Sequence, residues 1–411
     1  MFRALILLVV MTVLNEQGIV LFGQDPYRQK RVEMVRQYIE SAGVKDERVL
    51  DSIRTTPRHE FVPPALRSRA YLDMALPIGG AQTISSPFIV AMMTESLDPK
   101  PTDVVLEIGT GSGYQAAVLS PLVAKVYSIE IVPELGHAAA EVLKKLEYKN
   151  VFTRVGDGFL GWPEAAPFDK MIVTCSPENV PKPLLDQLRE GGQMIIPVGE
   201  RYQQTLYRMV KRNGKLIRQP LRPTLFVPMT GEAEANRKVL PDPQHPVVVN
   251  GNFEEGSDAS LGKNGLVSGW YYGRQVRRLR MSSGRPGRSE ARTFVRFENS
   301  TPGLDSHLLQ GVPIDGQIVS LIRLSALVRT EDVRRGTSKD DLPRLALTLY
   351  DGERNELGTV WLGPYRGSVD WKASSRLVQI PPATREAILR IGLFGATGIA
   401  DFDEISIKRL D

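Results

Sequence analysis

The sequence predicts an α/β domain with a mostly parallel sheet, followed by an all-β sandwich domain. Between residues 103 and 198, short apolar segments alternate with longer amphipathic ones, which is the pattern of a parallel sheet covered by helices. From residue 247 to 411, short alternating segments separated by frequent glycine and proline indicate an antiparallel sandwich. The polar, proline-containing segment 232–246 is predicted to be a linker, so residues 25–231 form the first domain.

Residues 1–24 are predicted to be a signal peptide or an N-terminal anchor. A single positive charge, Arg3, precedes an apolar run from Ala4 to Leu14, and this run is too short to span a bilayer by itself. The pattern favours an exported or membrane-tethered protein. A misassigned start of translation is the alternative explanation.

The composition excludes several classes of protein. The 411 residues are 42% hydrophobic and 24% charged, which excludes wholesale disorder and fits two or three folded domains. The net charge of +5, from 52 Lys and Arg against 47 Asp and Glu, is too small for this length to indicate a nucleic-acid partner. One cysteine and four scattered histidines disfavour a disulfide framework and a metal centre. We therefore expect neither nucleic acid nor a catalytic metal.

Hydrophobic periodicity predicts the individual elements. Residues 26–57 have helical spacing, and Pro57 ends that stretch. A helix is also predicted over Pro133–Leu146, and Asn213-Gly214 between two strand-like runs predicts a hairpin. The strands predicted in the first domain are Val104–Ile108, Val126–Ile129, Val151–Val155, Lys170–Val173 and Met194–Val198. Those predicted in the second domain include Ile318–Val328, Arg344–Tyr350, Ser375–Ile380 and Ala387–Leu393.

A glycine-rich turn follows the first predicted strand of the sheet. Gly109, Gly111 and Gly113 allow the backbone to turn sharply and to approach a ligand where a Cβ atom would collide. A dinucleotide fingerprint would have its third glycine at position 114, which is tyrosine here. The turn therefore predicts a nucleotide-like ligand at the carboxyl edge of the sheet, but not with dinucleotide spacing.

Three acidic residues surround this turn. Glu107 lies just before it, and Glu130 ends the second strand 17 residues after Gly113, where a carboxylate can accept both hydroxyls of a ribose. Asp157, followed by Gly158, comes after the third strand at the same edge of the sheet. Three carboxylates suit a cationic nucleoside and repel a pyrophosphate, which predicts S-adenosylmethionine and a Rossmann-like methyltransferase fold. A structural loop or another nucleotide is the alternative.

From roughly Arg31 to Gly231 the sequence resembles the protein-L-isoaspartate O-methyltransferases. The most specific segment is Leu76–Pro87, in which Gln82-Thr83-Ile84-Ser85 precedes the cofactor loop. This chain departs from the family pattern at Ala81, where glycine is usual. Further matching segments are Arg58–Pro63, Asp157-Gly158, Pro167–Asp169, Gly191-Gly192, Ile196–Gly199 and Phe226–Pro228.

The resemblance implies methyl transfer from S-adenosylmethionine to the α-carboxylate of L-isoaspartyl residues in damaged proteins and peptides, and family membership favours a cytoplasmic location. It implies that Ser85 orients the acceptor carboxylate; an N-cap of a helix at Pro87 is the alternative role for Ser85. Glu130 is implied to bind the ribose and Asp157 the adenine amino group. The cofactor-binding set is Thr83, Glu107, Gly109, Gly111, Gly113, Glu130, Asp157 and Gly158.

The second domain has a resemblance of its own. Val249–Glu254, Gly269-Trp270 and Ala400–Ile407 resemble the ends of a galactose-binding-like jelly roll, a form that many carbohydrate-binding modules have. This resemblance implies a glycan ligand, with a plain accessory or interaction role as the alternative. It also implies a structural calcium shared by Glu254 and Asp403.

Two classes of function remain open. The first is a repair methyltransferase with an appended β module, and the second is a glycan- or envelope-binding protein whose methyltransferase domain has lost activity. The intact cofactor loop and Ser85 favour the first. Predicted export favours the second, because S-adenosylmethionine is made in the cytosol. The predicted linker indicates independent domains, so we expect residues 25–231 to fold and catalyse alone.

Overall fold

The computed structural model describes residues 25–256, 267–281 and 292–411. The predicted signal peptide or anchor, residues 1–24, lies outside these ranges. Within them, no helix is long and apolar enough to cross a membrane.

The first domain is built on a seven-stranded sheet. It has the order β5-β4-β3-β6-β7-β8-β9, in which neighbouring strands from β5 to β7 are parallel and β8 and β9 are antiparallel. A separate two-stranded hairpin, β1 and β2, precedes it. The strands are β1 (Leu76–Gly79), β2 (Gln82–Ile84), β3 (Val104–Ile108), β4 (Lys125–Glu130), β5 (Val151–Val155), β6 (Phe168–Val173), β7 (Leu188–Gly199), β8 (Gln204–Arg212) and β9 (Lys215–Thr224).

Helices surround this sheet. Those of the described residues are α1 (Arg28–Met34), α2 (Glu47–Thr55), α3 (Pro87–Leu97), α4 (Tyr114–Leu119), α5 (Pro133–Lys145), α6 (Lys182–Gln187) and α7 (Glu232–Ala235). A π-helical turn, Val35–Glu40, extends α1, and the chain then leaves the helix until α2, so the helical stretch predicted over 26–57 is interrupted. Short 3₁₀ turns are Arg58–Phe61, Pro64–Arg69, Ser120–Leu122, Gly158–Leu160 and Pro163–Ala165.

The central strands β3, β4 and β6 are largely buried, as expected for parallel strands that helices cover on both faces. Val105 and Ile172 pack on one face with residues of α1 to α4, whereas Leu106 and Met171 pack on the other face with Leu184 of α6. Alternate side chains of a strand point to opposite faces, so the same strands supply two hydrophobic cores. This arrangement confirms the predicted α/β class.

The second domain consists of two antiparallel sheets. One has the order β10-β11-β18-β13-β16 and the other β12-β17-β14-β15, and their inner side chains form one hydrophobic core, as expected for the predicted β-sandwich. The galactose-binding-like resemblance stays a prediction. The strands are β10 (Val276–Arg280), β11 (Thr293–Asn299), β12 (His307–Pro313), β13 (Leu321–Arg334), β14 (Arg344–Tyr350), β15 (Glu356–Leu362), β16 (Gly367–Gln379), β17 (Glu386–Gly392) and β18 (Thr397–Arg409).

The segment predicted to be a linker, 232–246, contacts both domains. It contains α7, and the buried guanidinium of Arg237 donates hydrogen bonds to the carbonyl oxygens of Gly199 and Ser176 at 3.0 and 3.1 Å. Further along, the carbonyl oxygen of Pro243 accepts the backbone N–H of Asp315 in the sandwich at 3.1 Å. The segment is therefore anchored to both domains at these points, while most of its residues are exposed.

Candidate active site

Two adjoining cavities open at the carboxyl ends of β3, β4 and β6. At β3 the order of the sheet reverses direction, because β4 lies on one side of it and β6 on the other. Open α/β sheets bind ligands at such a point. The larger cavity, which encloses about 510 Å³ including space open to solvent, is lined by residues that include Glu130 and Gly158. The smaller, which encloses about 400 Å³ on the same measure, is lined by residues that include Ser85. Thr83, Gly109 and Gly111 line both cavities.

The glycine turn has the backbone conformation that its sequence predicts. Gly109, Gly111 and Gly113 have φ values of 93°, 53° and 88°. A Cβ atom on Gly109 would lie 2.5 Å from the Thr174 hydroxyl oxygen, so only glycine fits there. Gly113 directly precedes α4, and the structure places it against α5 rather than in the wall of either cavity.

Glu130 is held rigidly at the wall of the larger cavity. Its two carboxylate oxygens accept the backbone N–H groups of Gly111 at 2.7 Å and Val132 at 3.0 Å. The residue is only 5% exposed. Because each carboxylate oxygen can accept two hydrogen bonds, acceptor capacity remains for the hydroxyls of a ligand. This geometry fits the predicted ribose contact.

Glu107 lies beneath the glycine turn and lines neither cavity in the described structure. It is fully buried, and one carboxyl oxygen accepts the Ser128 hydroxyl at 2.5 Å. The Ser128 hydroxyl is in turn 2.6 Å from that of Thr110 in the turn. Burial raises the pKa of Glu107 to about 8, and the nearby Glu130 carboxylate adds to the rise. Glu107 therefore supports the turn from below, where the sequence had suggested contact with the cofactor.

Asp157 and Gly158 have different positions in the site. Gly158 lines the larger cavity, and a Cβ atom there would lie 2.3 Å from a methyl carbon of Ile108. The oxygens of Asp157 accept the backbone N–H groups of Phe159 at 2.9 Å and Glu232 at 2.8 Å. Asp157 thus joins the turn after β5 to the segment that begins α7. Its predicted contact with the adenine amino group stays a prediction.

Ser85 lies in the smaller cavity and does not cap a helix. Helix α3 begins at Pro87. Its N-cap residue is Ser86, whose side chain makes no capping hydrogen bond. Instead, the Asp73 carboxylate accepts the backbone N–H of Phe88 at 2.7 Å. The alternative role of Ser85 as a helix cap is therefore wrong. Among the described residues, the Ser85 hydroxyl has no hydrogen-bond partner, so it is available to a ligand.

Arg58 is a further residue of the site that the sequence reasoning missed. Its side chain is fully buried and donates hydrogen bonds to the carbonyl oxygens of Ala70 at 2.9 Å and Ser85 at 2.7 Å. The guanidinium also lies over the Tyr114 ring at 4.8 Å. An arginine within the matching segment Arg58–Pro63 was a signal that could have identified it. Asp73, which accepts the Phe88 N–H, lies in none of the matching segments, so no signal in the sequence identified it.

The predicted structural calcium has no supporting cluster. The Glu254 carboxylate accepts the backbone N–H of Thr293 at 2.9 Å, and that of Asp403 accepts the backbone N–H of Glu404 at 2.7 Å. Across residues 25–256, 267–281 and 292–411, no group of three or more His, Cys, Asp and Glu side chains is arranged to hold a metal ion.

Comparison with known proteins identifies the family. The profile of the family described as protein-L-isoaspartate(D-aspartate) O-methyltransferase (PCMT) matches residues 29–234. A protein-L-isoaspartate O-methyltransferase of Dictyoglomus turgidum is 48% identical over 211 residues, which are 51% of this chain and 96% of the relative. One of Opitutus terrae is 52% identical over 204 residues, 49% of this chain and 88% of the relative.

Solved structures include a similar protein. One named protein-L-isoaspartate O-methyltransferase is 29% identical, covers 50% of this chain and 67% of its own, and has a TM-score of 0.45. The family match ends at residue 234, before the sandwich begins. Through residues 29–234, the chain belongs to the protein-L-isoaspartate(D-aspartate) O-methyltransferase family.

Proposed function

We propose that this protein is a repair enzyme that transfers the methyl group of S-adenosylmethionine to the α-carboxylate of L-isoaspartyl residues in damaged proteins and peptides. One observation carries the proposal. In a chain of this family, Ser85 and Glu130 line two adjoining cavities that meet at the glycine turn. A cofactor site and an acceptor site therefore share a wall.

The larger cavity fits S-adenosylmethionine by its chemistry. Glu130 supplies a carboxylate acceptor, and the turn at Gly109 and Gly111 lets a ligand approach the backbone. No lysine or arginine of the described residues lines either cavity, so nothing there opposes a positively charged ligand. When bound, the cofactor supplies an electrophilic methyl group on a sulfonium.

The acceptor needs to be positioned and does not need to be deprotonated. A carboxylate is ionised at pH 7 and is its own nucleophile, so no general base is required. The Ser85 hydroxyl is free to donate a hydrogen bond that orients the carboxylate, since Asp73 already caps α3. Holding the acceptor in line and excluding water is mainly a positioning effect.

The alternative, a glycan- or envelope-binding protein with a lapsed methyltransferase domain, is disfavoured by this geometry. A domain without activity would not need Glu130 oriented by two backbone N–H groups or Ser85 held in the cavity by Arg58. No glycan site is proposed for the sandwich, because neither the family match nor the contacts described above support one.

A methyl-transfer assay tests the proposal. Purified full-length protein, labelled S-adenosylmethionine and an isoaspartyl peptide should give a base-labile methyl ester, and the aspartyl twin of the same peptide should give none. The Ser85→Ala variant, purified by the same procedure and expected to turn over more slowly, controls for a contaminating host enzyme. Absence of transfer to the isoaspartyl peptide, or equal transfer to both peptides, would contradict the proposed function.

A further inference from the structure

The sandwich packs closely against the methyltransferase domain. Tyr272 packs against the hydrophobic core of the first domain, and its hydroxyl donates a hydrogen bond to the carbonyl oxygen of Leu225 at 2.7 Å. The hydroxyl of Tyr202, in the first domain, donates to Glu386 of the sandwich at 3.0 Å. A Cβ atom on Gly311 would lie 2.4 Å from the Tyr202 ring, so this ring packs directly against the Gly311 backbone, where a larger residue would collide with it.

Arg274 of the sandwich contacts the start of α3, next to the acceptor side of the site. It lies just before β10, and its backbone carbonyl oxygen accepts the Ser306 hydroxyl at 3.0 Å, which fixes it to the sandwich. Its guanidinium forms an ion pair with Asp73 and lies over the ring of Phe88 at 4.6 Å. The two charged side chains are 19% and 9% exposed, so water screens this pair less than it screens a surface salt bridge.

Asp73 connects Arg274 to the start of α3. One oxygen of its carboxylate accepts the Phe88 N–H at 2.7 Å, and the other pairs with Arg274. The first N–H groups of a helix have no partner within the helix, so an acceptor from elsewhere fixes where the helix starts. Here that acceptor is held by another domain. Phe88 follows Ser85 by three residues, so the Asp73 contact holds the backbone that follows Ser85, while Arg58 holds the Ser85 carbonyl oxygen.

We infer that Arg274 is a positioning residue for the acceptor site, acting on Ser85 through Asp73 and Phe88. The inference rests on the proposed function, because it assigns the sandwich a part in the same reaction. It differs from the expectation that residues 25–231 act alone: the structure makes the appended domain part of the unit that holds the acceptor. The cofactor cavity is outside this chain of contacts.

Kinetics on the full-length protein test the inference. Arg274→Ala should lower kcat/KM for an isoaspartyl peptide about tenfold and leave the Kd for S-adenosylmethionine within about twofold. The matched control is Arg277→Ala, which removes an exposed arginine of β10 that pairs with the exposed Glu298 and should change neither value. Arg274→Lys, which keeps the charge, should retain more activity than Arg274→Ala.

A double variant separates positioning from general damage. In a Ser85→Ala background, Arg274→Ala should lower kcat/KM by less than about twofold, because both changes act on one contact. The full tenfold loss in that background would overturn the inference, as would unchanged kinetics of Arg274→Ala in the wild-type background. If Arg274→Ala does not fold, Asp73→Asn replaces it, since asparagine keeps an acceptor for the Phe88 N–H and removes the ion pair.

Hydrogen exchange gives a readout that does not depend on activity. In the Arg274→Ala variant, the Phe88 amide should exchange its hydrogen about tenfold faster than in the wild type, as measured in peptides that cover residues 84–92. In the Arg277→Ala variant, the amide should exchange at the wild-type rate. If the wild-type protein failed to methylate isoaspartyl peptide, the proposed function would fall, and this exchange difference would still decide the positioning role. Unchanged exchange at Phe88 would overturn that role whatever the activity.

Discussion

The cofactor side and the acceptor side of the site are held by different parts of the molecule. The glycine turn is fixed by its immediate neighbours in the sheet: the Gly109 N–H donates to Ile129, and Glu130 accepts the Gly111 N–H. The acceptor side draws on distant segments, because Ser85 is held by Arg58, and the helix after it by Asp73 with Arg274 of the sandwich.

This difference separates two kinds of change. Perturbing the strands around the glycine turn should alter cofactor affinity, since those strands carry the contacts of the larger cavity. Perturbing the sandwich should alter turnover of the acceptor and leave cofactor affinity alone. On this proposal the appended domain affects turnover of the acceptor without touching the cofactor.

The largest expected effect concerns Glu107 and pH. Burial raises the pKa of Glu107 in the folded protein to about 8 from an ordinary 4.5, so the native state binds this proton more tightly than the unfolded state. The resulting stabilisation is complete below pH 4.5 and is lost as the pH rises through about 8, with a slope of at most about 1.4 kcal/mol per pH unit. Glu107→Gln cannot ionise, so the variant should keep its stability across this range.

Denaturant melts of wild type and Glu107→Gln between pH 5 and pH 9 measure this effect. Glu141→Gln, an exposed position on α5, is the matched control and should follow the wild-type profile. Parallel profiles for wild type and Glu107→Gln would show that Glu107 does not titrate in this range. Phe88 exchange should be the same in all three proteins, because Glu107 belongs to the cofactor side.

The next effect is on cofactor binding. Glu130→Ala should raise the Kd for S-adenosylmethionine about 100-fold, because hydrogen bonds to a charged group contribute roughly 1.5–3 kcal/mol each. Calorimetry in EDTA measures this Kd, with the exposed Glu134→Ala of α5 as control. An unchanged Kd would remove Glu130 from the ribose contact. The melting midpoint of the sandwich and the hydrogen-exchange rate of the Phe88 amide should stay at their wild-type values.

Ser85→Ala should act on turnover alone. A hydroxyl that donates to a charged acceptor contributes roughly 1.5–3 kcal/mol, so kcat should fall about 10- to 150-fold with the cofactor Kd nearly unchanged. Because Asp73 caps α3, the melting midpoint should stay at its wild-type value. Ser86→Ala, at an N-cap position without a side-chain hydrogen bond, is the control. Normal turnover with a lowered midpoint would make Ser85 structural after all.

The two sides also differ in how far the sequence predicted them. The bounds of β3 and β5 were predicted to the residue, since each is a short run rich in β-branched residues that a glycine follows. The glycine turn follows from its own spacing. Asp73 and Arg274 lie some 200 residues apart in the sequence and meet only through the packing of two domains. No local pattern marks such a pair, so the sequence could not show how the acceptor side is supported.

The smallest expected effect concerns the hairpin that leads into the acceptor segment. Ala81, where the family usually has glycine, has a φ of 58°, a conformation that costs a residue with a Cβ atom about 1 kcal/mol. Ala81→Gly should therefore raise the free energy of unfolding by about 0.5 kcal/mol, because the relief of strain is partly offset by the greater entropy of glycine in the unfolded chain.

The control is Ala75→Gly, at an exposed position without a positive φ, which should lower the free energy of unfolding instead. Denaturant melts of both variants give the comparison, and a loss of stability in both would show that the turn does not strain Ala81. Turnover should change by less than about twofold in either variant, because both substitutions leave the side chains of Thr83 and Ser85 in place.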